Sequence, residues 1–154
     1  MRSLDRRRKR IEYLFKSAPS SIDDNALEMR SHWAKYICVL ISGHIELSVR
    51  EIFTEYALQR SSPEISRYVA KQLNRFQNAK VEEITSLVGS FSPDWQRSLN
   101  DFIDDEYKAA VNSIIGNRHA IAHGEDSDIT ISNLQAWYRK ANEVIDYLVR
   151  LCAV

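Results

Sequence analysis

"GNRHAIAHGED", residues 116–126, decides how this chain is read. Upstream of it, apolar residues recur at helical spacing through Phe102, Ile103, Tyr107, Val111, Ile114 and Ile115. A glycine after such a run takes the C′ position that ends a helix. The stretch is therefore the C-terminal end of an apolar helix, with Gly124 as its stop and the polar "EDSD" as the loop beyond. Two of the four histidines and two of the four glycines in 154 residues fall here, so polar chemistry is concentrated where an otherwise apolar helix ends.

Working outward, Ser132 with Gln135 has the spacing of a capping box and opens a final helix through Trp137, Ala141, Val144, Ile145 and Leu148. In the other direction, Ser92-Pro93-Asp94 reads as N-cap, first-position proline and favourable acid. From there helical periodicity is expected to run with little interruption to the opening motif. Ser62-Pro63-Glu64 repeats the signal before Ile65, Val69 and Leu73, and "RFQNAKVEEITSLVGSF" reads as a turn at Asn78 followed by a short helix. Ser21 with Asp24 opens a long helix to about Gln59, with a bend expected at Ser42-Gly43. On a helical wheel Trp33, Ile37, Leu40, His44, Leu47 and Glu51 form one stripe, while Cys38, Val39, Val49 and Phe53 are apolar on other sides, which makes this helix central. A short basic amphipathic segment from Ser3 to Lys16 ends at "SAPSS". The expected fold is all-α, a helical bundle around one long central helix. Residues 1–20 form a basic N-terminal helical segment and residues 21–154 the helical domain, within a single domain overall.

The chain has 44% hydrophobic and 27% charged residues, and its formal net charge is zero. Whole-molecule attraction to nucleic acid or to an anionic membrane is therefore not indicated. The distribution is uneven, because Arg2, Arg6, Arg7, Arg8, Lys9 and Arg10 face only Asp5 in the first ten residues. Such a cluster can touch phosphates, although most such runs are solvated helix faces. No apolar run is long enough to span a bilayer and no h-region follows the basic start, so neither an anchor nor a signal peptide is expected and the cytoplasm is the expected location. Cys38 and Cys152 lie among apolar residues, which suits buried reduced thiols, with a disulfide between them as the alternative.

On the motif helix, Ile103, Tyr107, Val111, Ile114, Arg118 and Ile121 fall on one face. Arg118 therefore sits in an apolar stripe, where its fork of donors requires a carboxylate, a phosphate or carbonyls. Glu46 and Glu51 of the long helix are the internal candidates. His123 is the last residue before the glycine, beside unpaired carbonyls at the negative end of the helix dipole, where an imidazolium is favoured. His119 lies one turn earlier, about 40° away round the axis, whereas Arg118 lies about 140° from His123, so the arginine must reach round or the last turn must loosen. Three chemistries compete. His119 and His123 have the i, i+4 spacing of a metal pair, but no glutamate completes HExxH and a third ligand must come from Glu125, Asp126 or elsewhere. A Cys-His or Ser-His nucleophile lacks an activated cysteine or a glycine-flanked serine. The third is anion chemistry without metal or cofactor, in which arginine neutralises a phosphate while histidine moves a proton.

"NRHAIAHG" resembles the signature of the HEPN superfamily, and the chain is similar in particular to its RiboL-PSP-HEPN type. The likeness includes "VLISGHIELSVREIF", the middle "RFQNAKVEEITSLVGSF" and the late "IAHG", and covers roughly residues 25 to 150. The resemblance implies a helical bundle that dimerises so that two Arg-His sets face one cleft. It also implies metal-independent endoribonuclease activity in many members, and prokaryotic toxin–antitoxin or antiviral settings with a cognate antitoxin as partner. Arg118 and His123, with four residues between them, match the family's catalytic pair. Members commonly carry a polar residue, often asparagine, directly after the arginine; here His119 stands there and Asn117 precedes.

The expected function is accordingly an RNA endonuclease, with Arg118 stabilising charge, His123 moving protons, and Asn117 and His119 orienting substrate or the catalytic pair. Glu46 is expected to position Arg118, with a plain structural ion pair as the competing reading. RNA is the expected substrate and a homodimer the expected assembly, with no DNA specificity and no membrane partner. The alternative is a non-catalytic HEPN module that binds a partner protein or nucleotide.

Overall fold

The computed structural model describes residues 2–20 and 24–154, and all regular elements among them are helices: α1 (Arg2–Lys16), α2 (Asp24–Arg60), α3 (Pro63–Leu73), α4 (Val81–Phe91), α5 (Pro93–Phe102), α6 (Asp105–Ala122) and α7 (Ile131–Cys152). The chain is thus all-α, as expected. The 37 residues of α2 run about 55 Å and stay helical across Ser42-Gly43. The core side of α2 is Ala34, Ile37, Cys38, Ile41, Ile45, Val49, Ile52 and Phe53, and His44 is buried with them. Leu47 and Val39, by contrast, are exposed. The wheel stripe through Leu47 was therefore displaced from the true core face, because a helix apolar on several sides gives a weak periodic signal and its neighbours decide which side is covered.

α7 carries the clearer stripe. Leu134, Tyr138, Ala141, Val144, Ile145, Leu148 and Cys152 are all buried and pack it against α2 and α6. Each large aliphatic side chain buried in this way contributes about 1.5–3 kcal/mol. α3 folds back on α2, and the α4–α5 pair closes the side of the bundle through Phe53 against Phe91, 4.7 Å between ring centres, and Tyr56 against Trp95, 5.1 Å. α1 belongs to the same core: Leu4 and Ile11 are buried, Phe15 meets Tyr138, and Trp33 Nε1 donates to the Leu14 carbonyl. Cys38 and Cys152 are free and buried, and desolvation pushes both thiols up to about 12.

Helix ends follow cap chemistry, with two corrections. Ser62 and Ser92 cap α3 and α5 as expected, each side chain accepting from the backbone N–H three residues on. The expected run from Ser92 into the motif is broken, however, at extended Ile103, and Asp104 caps α6 by accepting from the backbone of Glu106 and Tyr107. The apolar periodicity passes through the break because Phe102 and Tyr107 still pack on one another, 4.9 Å between ring centres. The last helix is capped by Thr130, whose hydroxyl accepts from Asn133, rather than by the Ser132–Gln135 box. The Ser21–Asp24 box lies outside the described residues. Asn78 turns with φ of 55°, and α4 takes its first cap from another helix, the Asn112 side chain accepting from Val81 N–H at 2.9 Å.

Candidate active site

α6 brings the motif to one end of the bundle. Its middle turns are anchored by buried Ala110, Val111, Ile114 and Ile115, and the apolar stripe then runs out toward the open end, leaving Arg118 and Ile121 half-buried and His119 and His123 exposed. The helix stops by a Schellman arrangement. Gly124, at φ of 72°, donates to the Ile121 carbonyl and Glu125 donates to the Ala120 carbonyl at 2.9 Å. His123 is the C-cap at φ −92° and ψ 5°, and its N–H is shared between the His119 and Ala120 carbonyls, so the last turn tightens toward 3-10 geometry rather than loosening to bring Arg118 round.

The histidines meet. Their ring centres are 4.3 Å apart and tilted by 56°. Among the described residues no third His, Cys, Asp or Glu joins them in a cluster able to hold a metal ion. Asn117 is engaged locally: its Nδ2 donates to the Ser113 carbonyl at 2.8 Å and its Oδ1 accepts from Ser127 at 2.7 Å. The bond to Ser113 holds the Asn117 side chain along α6, and the bond from Ser127 ties the loop after His123 to the end of that helix.

Arg118 has neither of its expected carboxylates. Glu51 accepts from Arg7 and Ser3. Glu46 pairs with Arg50 at 3.6 Å and accepts from Asn78 N–H at 3.2 Å, while Arg50 donates to the Phe76 carbonyl. Glu46 therefore clamps the 74–80 linker onto α2 and makes no contact with Arg118. Four other arginines are half-buried, and each has at least one acceptor: Arg7 in Glu51, although its Nε is buried without a partner, Arg8 in Asp146 and Asn142, Arg30 in the Pro19 carbonyl and Arg50 as above. Arg118 alone among the described half-buried arginines has no acceptor.

The clamped linker has a consequence that sequence reading did not reach. It delivers Asn78 and Lys80 to a groove of about 350 Å³ that they share with Glu83, Ile115, Gly116 and His119. The turn at Asn78 was legible in the sequence, but its destination was not, because the Glu46 and Arg50 contacts that steer it span some thirty residues.

The family model described as RiboL-PSP-HEPN matches residues 2–153. The chain belongs to the RiboL-PSP-HEPN family. No curated protein and no solved structure matches it. The family match begins at the first residue of α1, so this HEPN chain takes in the basic helix as well as the bundle from α2 onward. No helix among the described residues is long and apolar enough to cross a membrane.

Proposed function

We propose that this HEPN domain is a metal-independent endoribonuclease in which the end of α6 cleaves RNA by attack of its own 2′-hydroxyl, leaving 2′,3′-cyclic phosphate and 5′-hydroxyl ends. The observation that carries the reading is the unsatisfied, half-buried guanidinium of Arg118 on the same helix end as two exposed histidines in ring contact. A planar fork of donors held part-way out of water is matched by a phosphate, which accepts in the same bidentate geometry as a carboxylate. Arg118 stabilises charge on the phosphorane-like transition state, and His123 moves the proton.

In-line displacement places the attacking and leaving oxygens on opposite sides of phosphorus, each with its proton carrier at about 3 Å. Two rings 4.3 Å apart serve one side only. The other side is supplied by the His123 of a second copy, so the active form is a homodimer, and His119 orients the phosphate or its partner ring. The family is the support for the wider setting, a cytoplasmic prokaryotic toxin–antitoxin or antiviral role with a cognate antitoxin. The alternative, a module that only binds a protein or nucleotide, is favoured by one feature: Arg118 and His123 make no contact with each other and leave α6 on different sides.

Mixed cellular RNA incubated with the purified protein in excess EDTA tests the proposal. Cleavage with cyclic phosphate ends is expected from the unsubstituted chain, with a loss of at least a hundredfold in Arg118→Ala and in His123→Ala. Because Arg118 has no internal partner, Arg118→Ala should shift the unfolding free energy by less than about 1 kcal/mol. Intact RNA with the unsubstituted protein, across several RNA types, would transfer the assignment to the binding module.

A further inference from the structure

The end of α6 is poorly furnished to hold a polyanion by itself, since Glu125, Asp126 and Asp128 follow His123 in an exposed loop. Positive charge must be supplied from elsewhere, and α1 divides its cations into two sets. Arg7 and Arg8 turn inward, to Glu51 and to Asp146, both at 2.6 Å. Arg2, Arg6, Lys9 and Lys16 turn outward, are exposed, and form no hydrogen bond or ion pair among the described residues. At 100° and 1.5 Å per residue these four and Tyr13 lie within an arc of about 80° along about 21 Å of the helix. Tyr13 is 67% exposed on that line, between Lys9 and Lys16. Arg10 lies beside it, donating to the Tyr36 hydroxyl, and that second aromatic is also exposed. Asp5 and Glu12 flank one edge only.

We propose that the outer face of α1 is a docking track for single-stranded RNA, whose phosphates are taken by Arg2, Arg6, Lys9 and Lys16 and one of whose bases stacks on Tyr13. Unpaired cations in short axial steps, interrupted by an exposed aromatic, are the combination that single-strand binding uses. An anionic membrane is the poorer match, because a helix lying in a bilayer surface must bury an apolar face, whereas Leu4, Ile11 and Phe15 are already committed to the core. The track is also rigid, since the inward salt bridges and Trp33 hold α1 in place. Its C-terminal end leads to the side of the bundle where the loop after His123 joins α7: Arg30 of α2 donates to Pro19, just past α1, and lines a groove with Ile129, Thr130 and Ile131. The choice of RNA over other polyanions rests on the reading of α6 given above.

The test uses a fluorescent single-stranded 2′-O-methyl oligonucleotide, which lacks the attacking hydroxyl, and anisotropy across a range of salt. Replacing all four cations by glutamine should weaken binding at least tenfold at 100 mM salt. It should also flatten the slope of log affinity against log salt by about 2 to 3, from roughly 0.7 per phosphate. Tyr13→Ala should weaken binding at least fivefold with the slope unchanged. Equal affinity and slope in the fourfold variant, no binding by the unsubstituted protein at low salt, or loss only of binding to phosphatidylserine vesicles would each overturn the track. Cleavage of ordinary RNA is scored separately. A nuclease indifferent to the fourfold substitution removes the track and keeps α6, and salt-sensitive binding without cleavage does the reverse.

Discussion

Lowering the pH from 7 to 5 should destabilise this protein through one residue. His44 is buried, 1% exposed, between α1, α2 and α7. Its Nε2 lies 3.1 Å from Asn142 Oδ1, an oxygen that also accepts from Arg8 Nε at 2.9 Å. Nε2 must therefore be the protonated nitrogen, and Nδ1 is left to accept from the Ser48 hydroxyl at 3.4 Å. Burial lowers the His44 pKa to about 4, and Arg7 and Arg8 push the same way against the hydrogen bond to Asn142 and the charge of Glu51. The unfolded chain binds a proton near pH 6.5, whereas the folded chain does so only near 4. The stabilisation is thus fully present above about pH 6.5 and is lost as pH falls toward the folded value. Linkage puts the loss at about 2 kcal/mol between pH 7 and 5, and at about 3 kcal/mol on reaching the folded value.

Urea unfolding at pH 7 and pH 5, in matched ionic strength, measures it directly. For a chain of this size 2 kcal/mol is also a fall of about 4–8 °C in Tm. The carboxylates with lowered values, Glu82 at about 2, Glu51 and Glu64, titrate mainly below this window. His44→Gln should therefore be less stable at pH 7 yet flatten the dependence between pH 7 and 5. Equal stability of the unsubstituted protein at the two pH values, or an unchanged slope in the variant, would show that the network tolerates the charged ring and refute the reasoning.

Two further outcomes bear on the α6 end. Gly124→Ala must hold a side chain at φ of 72°, which should cost about 1 kcal/mol by thermal unfolding and lower RNA cleavage by displacing His123. Asn117→Ala removes the bonds to Ser113 and Ser127; it should cost about 1 kcal/mol and raise amide exchange in residues 124–130 while α7 stays protected.

Much of this arrangement could be read from the chain, for reasons that are local. Ser62-Pro63, Ser92-Pro93 and Gly124 each carry their own cap chemistry and end or begin helices where they were expected to. Asp104 has the same chemistry but was obscured by apolar spacing that continues across it. The partners of charged groups were legible least. Glu46 and Glu51 were both sensible acceptors for Arg118 by residue type, but Glu51 was claimed by α1 and Glu46 by the linker before α4. Such assignments depend on which helix arrives beside which, and no periodicity within α2 encodes that.

The same competition for partners links the acid-sensitive core to the outer face of α1. Arg7 and Arg8 are the shared members, because they hold α1 to Glu51 and Asp146 and also border the neutral ring of His44. A proton on His44 would set a third positive charge against both, so its cost falls on the contacts that orient α1. Arg2, Arg6, Lys9 and Lys16 need α1 only as a scaffold, and none of them pairs with another group among the described residues. Any loss of RNA binding between pH 7 and 5 should therefore follow the unfolding of α1, be relieved in His44→Gln, and leave the salt slope of the molecules still folded unchanged.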